Sequence, residues 1–197
     1  MVVDEETARA LREGDGHLAR VFAASCAERL IQVFCALRAD DPSRSVDIAF
    51  VVDTLEGLWD LANSTGSFDE RREHLLSFPE LQPNELGFTQ VADIYSFYGC
   101  LVLMYATKCA AAGGDAEAAV SCAHASLTAM GQLDGNAADS TNFLREKARQ
   151  RAVIVGVANG IPLARIRDDD RIAAQHLVEA ILDRVRGNSG RQRDSGA

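Results

Sequence analysis

Apolar residues recur along this chain at helical intervals, and those intervals mark out a succession of helices with no strand pattern between them. From His17 to Arg38, the positions Leu18, Phe22, Cys26, Leu30, Val33, Phe34 and Leu37 share one face. Ile48 to Asn63 repeats the pattern with Phe50, Val51, Leu55, Leu58, Trp59 and Leu61, while Asp53, Glu56 and Asp60 line a solvated side. Val91 to Ala110 differs in being apolar around nearly its whole circumference, which predicts a helix at the centre of the molecule, within residues 88–112. Gly113-Gly114 ends it. Asp115 caps an alanine-rich helix to Leu133, whose Ala116, Ala119, Ala123 and Ala125 admit a close neighbour.

Thr141 to Val157 and Asp168 to Arg186 read as two further helices, divided by Gly160 and Pro162. Asp168-Asp169-Asp170 falls at the expected start of the second, where carboxylates cap a helix and meet its dipole. Asp4 to Arg12 and Asp69 to Leu76 are shorter helices, and Ser45 is an N-cap. Residues 63–67, the stretch from Pro79 through Pro83 to Gly87, and Gly131 to Ser140 carry turn residues, and a polar tail from Gly187 is expected to be disordered. The fold class is therefore all-α: a single-domain helical bundle of about six to seven helices around a central apolar helix, occupying residues 1–186, with the tail at 187–197.

Charge is divided unevenly. Residues 1–140 carry nine basic and 22 acidic side chains, residues 141–197 carry 11 basic and seven acidic, and the whole is −9. An acidic body argues against nucleic-acid binding, which needs a concentrated basic surface. The basic C-terminal third is expected to pair with the acidic body of its own fold. The N-terminus is acidic and has no signal-peptide order, and Ile94 to Ala106 is short of a membrane span. Five cysteines without a C-x-x-C pair read as reduced core thiols. These features point to the cytoplasm, with no membrane association.

Chemistry-bearing patterns are sparse. The four histidines are scattered, Glu70 and His74 form a lone i,i+4 pair, and the chain has no Glu-x-x-His pair, phosphate loop or nucleophile elbow. No catalytic, metal or cofactor site is expected. Glu28, Arg29 and Asp93 are the buried polar candidates: Arg29 projects close to the apolar stripe of its helix and needs an acceptor, which Asp93 on the central helix could supply. Trp59, Tyr95 and Tyr98 are the candidates for lining a pocket between helices.

The segments Phe22 to Leu30, Leu55 to Leu61, Phe68-Asp69, Val91-Ala92-Asp93 and Gly114 to Val120 resemble, in order, the bacterial YjaG-like family of unknown function, over residues 17–134. That resemblance implies a cytosolic all-α bundle with no activity to carry over, and Glu28, Arg29, Trp59 and Asp93 are the matching positions. The segment between Asp93 and Gly114 is longer than the family pattern, and nothing after Leu133 matches. The reading favoured overall is a non-enzymatic interaction module, of immunity or adaptor type, whose partner is another protein or a second copy of itself in a homodimer. The alternative is a small-molecule sensor or enzyme with a pocket between helices.

Overall fold

Asp15 starts the helix that organises the molecule. Its carboxylate accepts the Leu18 N–H at 2.8 Å and opens α2 (Gly16–Arg38), in which every residue from Val21 to Ile31 is buried. The computed structural model describes residues 3–60, 68–82, 87–88, 90–135 and 141–194, the last seven of these by their backbone alone. Among them are α1 (Glu5–Glu13), α2, α3 (Ser45–Trp59), α4 (Phe68–Leu76), α5 (Val91–Ala111), α6 (Ala116–Leu133), α7 (Thr141–Ala158) and α8 (Leu163–Asp194). Single turns of 3-10 helix sit at Pro42–Arg44 and Pro79–Leu81, and no strand occurs among the described residues. Leu61, the loop expected at 63–67, Pro83, and residues 136–140 of the expected linker lie outside the described residues.

The architecture is an all-α bundle with α5 at its centre, packed against α2, α6 and α4. α2 shares that central place, since it meets α3, α5, α6, α7 and α8. Their close crossing depends on Gly99: a Cβ there would lie 3.0 Å from the Leu30 carbonyl oxygen and 3.1 Å from Phe34 Cβ. Gly114, at φ +111°, presses against Gly16, where an added Cβ would come within 2.3 Å of backbone. The alanines of α6 act as expected, with Ala119, Ala123 and Ala125 buried against neighbours. By length and composition α5 could cross a membrane, but half of its most apolar window is buried inside the fold.

Helices α3 and α8 differ from the sequence expectation: α3 begins at Ser45 itself, with Arg44 in the N-cap position, and ends at Trp59 instead of Asn63, and α8 differs at both of its ends. Gly160 (φ +68°) ends α7, and α8 begins directly after Pro162, five residues before Asp168. Asp168, Asp169 and Asp170 are therefore interior helical residues and do not cap the helix. At the other end the helical backbone continues past Gly187 to Asp194, where the sequence suggested a disordered tail.

Candidate functional site

Glu28 and Arg29 are consecutive on α2, so their side chains leave the helix about 100° apart and engage different neighbours. Both are 2% exposed. Arg29 makes a forked pair with Glu146 of α7, from Nε to Oε2 at 2.9 Å and from Nη2 to Oε1 at 2.7 Å. Its Nη1 donates to Asp170 Oδ1 of α8 at 2.6 Å, and also to the Ser25 carbonyl and hydroxyl one turn back. Burial opposes the charge on Arg29, but the carboxylates of Glu146 and Asp170 outweigh it and hold the guanidinium well above its usual range. Arg149 closes the network by donating to Asp170 Oδ1 at 2.7 Å and to the Ile166 carbonyl at 2.8 Å.

Glu28 faces the other way, toward α3 and α8. It accepts from Trp59 Nε1 at 2.8 Å, Arg167 Nε at 2.9 Å and Arg171 Nε at 3.2 Å. Arg167 also forks onto Glu56, and its hydrogen bond holds that carboxyl below the usual range. Its guanidinium sits 5.7 Å from the centroid of the Trp59 ring. Arg167, Asp170 and Arg171 stand at i, i+3 and i+4 on α8, with signs opposite to the α2 residues they meet. A slip of α8 by one turn would set Ile166 or Ala174 where Asp170 meets Arg29 and leave that buried cation short of an acceptor, so the Arg29–Asp170 pair fixes the register of the helix.

The expected Asp93–Arg29 pair does not form. Asp93 is 37% exposed and meets Arg38 at 3.0 Å, while Arg38 also binds the buried Glu80. Because Gly99 lies opposite Leu30 and Asp93 opposite Arg38, α5 runs antiparallel to α2, which places Asp93 about two turns from Arg29. The pocket candidates do not converge either. Tyr95 is buried in the core, where burial pushes its phenol up to about 12. Tyr98 lines one groove and accepts from Gln132 Nε2 at 3.1 Å, and Trp59 borders a different, shallow hollow beside Arg167. Asp53, Glu56 and Asp60 are exposed as expected, with Glu56 also engaged by Arg167 and Arg171, and Asp53 by Arg71. Glu146 and Asp170 escaped the sequence reading, although a signal existed. Glu146 falls on the buried line of Gln150 and Val153, and Asp170 on that of Ile166, Ala174, Leu177 and Ile181.

Among the described residues two sizeable grooves open on the surface. One, of about 730 Å³, lies between α1, α5 and α6 and is lined by Val3, Ala8, Phe97, Leu101, Tyr105 and His124 among others. The second, of about 670 Å³, runs between α7 and α8, which touch each other little beyond the Arg149 clasp. Its floor is Met130 with the buried Arg29 and Glu146, and its walls include Ala148, Ala152, Ala173, Leu177 and Ala180. Arg145 and His176 stand exposed at its edge. No group of three or more metal-ligating side chains occurs among the described residues. The four cysteines Cys26, Cys100, Cys109 and Cys122 are buried and Cys35 is partly so, and burial raises every one of these thiols, Cys26 and Cys109 to about 12 and Cys35 to about 11.

In comparisons with known proteins the chain matches no family model, no curated protein and no solved structure, so nothing there identifies the YjaG-like family.

Proposed function

We propose that this chain is a non-enzymatic interaction protein of the bacterial cytoplasm, related to the YjaG-like family by the motifs of residues 17–134, and that it works through the α7–α8 face. One observation carries the reading. Leu144 and Val155 on α7 and Ile172 on α8 are 56%, 56% and 55% exposed, and they stand beside the alanine-walled groove. Eleven positions separate Leu144 from Val155, so they share one line along α7 within about 20°. Large apolar side chains gathered at one face mark an interaction site more often than scattered ones do. The polar groups beneath support the same reading, because Arg29, Glu146, Asp170 and Arg149 are engaged with one another. An immunity-type or adaptor role is one form such a protein takes.

The test is native mass spectrometry of the tagged protein purified from lysate of its own source. A stoichiometric protein partner, lost in Ala148→Arg, is expected. A bound small molecule without any protein would sink the reading. That outcome belongs to the second one, a sensor or enzyme, which the size and aromatic lining of the α1–α5–α6 groove favour.

A further inference from the structure

Resting on the interaction reading, we infer that the partner seated on the α7–α8 face is a second copy of this chain, in a two-fold symmetric dimer. A two-fold interface must be complementary to itself. This face meets that condition, because it carries both ridges, Leu144, Val155 and Ile172, and a valley walled by Ala148, Ala152, Ala173 and Ala180. Small residues in the valley let the ridges of a facing copy approach closely.

Charge selects the arrangement. Arg145 on α7 is exposed and makes no ion pair among the described residues, and the same holds for Asp168 and Glu179 on α8. A two-fold axis parallel to the helices lays α7 of each copy over α8 of the other, antiparallel, and brings Arg145 toward Glu179 of the facing chain. An axis across the helices would instead set α7 on α7 and α8 on α8, which separates Arg145 from Glu179 of the facing chain and loses that complementarity. Size is adequate as well. The 18 residues of α7 span about 27 Å, and the hairpin is about 20 Å wide, giving a projected footprint of about 500 Å². Side-chain relief raises this toward the roughly 800 Å² per partner of a standard interface.

Light scattering after size-exclusion chromatography, from about 1 to about 100 µM protein, reads the mass directly. A dimer is expected that Ala148→Arg converts to monomer, with an unchanged far-UV spectrum because Ala148 is exposed. Arg145→Glu and Glu179→Arg should each weaken it by about 2- to 30-fold, since each removes two exposed pairs per dimer, and the two together should restore it. A monomer at every concentration, or a dimer that Ala148→Arg leaves intact, would overturn the inference. A monomer that binds another protein through this face, again lost in Ala148→Arg, would overturn the homodimer alone, whereas a monomer holding only a small molecule would remove the interaction reading with it.

Discussion

Replacing Arg29 with Met keeps most of the side-chain volume and removes the cation that Glu146 and Asp170 share. The native pairs are short, at 2.6 to 2.9 Å, and all three groups are nearly inaccessible. Breaking a buried pair by deleting one partner costs about 3–5 kcal/mol, because the remaining charge stays desolvated without compensation. Two carboxylates are stranded here, although Arg149 and Gln150 still hold one oxygen each, so the upper half of that range applies. For a chain of this length each kcal/mol moves the melting temperature by about 2–4 °C, giving an expected drop of about 8–20 °C. Urea unfolding followed by circular dichroism measures the same loss at constant temperature. Arg29→Met/Glu146→Leu/Asp170→Leu removes the stranded charges too and should recover at least half of the loss, since apolar replacement of a whole buried network is often neutral. A single variant within about 1 kcal/mol of the parent, or a triple variant no better than the single, would refute the account of how α7 and α8 are held to α2.

Other perturbations test neighbouring parts of the argument. Gly99→Ala gains about 1 kcal/mol of helix propensity but sets its methyl against a backbone carbonyl that cannot yield, so calorimetry should show a net loss. Gly114→Ala should lose more, having a backbone clash and a positive φ to sustain. Ellman's reagent at pH 8 should modify at most one thiol in the folded protein, Cys35 first, and all five in denaturant, because burial both raises and shields the rest. The hydrogen bond from Arg151 holds Asp4 below its usual range, and that from Arg167 does the same for Glu56. Stability from these lowered carboxyls is complete above their ordinary range and is lost as pH falls through the folded values. Arg167→Gln should therefore flatten the acid side of the stability profile, by at most about 1 kcal/mol given the exposure of Glu56, and less in high salt. Trp59, the sole tryptophan, is bound to Glu28 and lies near Arg167, so Glu28→Gln and Arg167→Ala should each shift its emission.

Helical periodicity alone determined the all-α class and the spans of α2, α5, α6 and α7 to within a residue or two, because a helix that buries one face must repeat its apolar positions. The same periodicity marked Arg29 as a candidate for burial, since it stands at the edge of the stripe of α2. What it could not determine was the acceptor. Asp93 was a reasonable partner on composition, yet the antiparallel crossing at Gly99 carries it to the level of Arg38, and only the placement of α7 and α8 brings Glu146 and Asp170 to Arg29. Asp170 shows why such partners stay hidden: in an acidic triplet it looks like a cap, and it becomes a core residue only once Pro162 is seen to start α8 a turn and a half earlier. The grooves are tertiary in the same sense. Alanines on two helices signify close packing until the hairpin is seen to splay, and the splay follows from α7 and α8 each being tied separately to α2, a choice made by pairs more than a hundred residues apart in sequence.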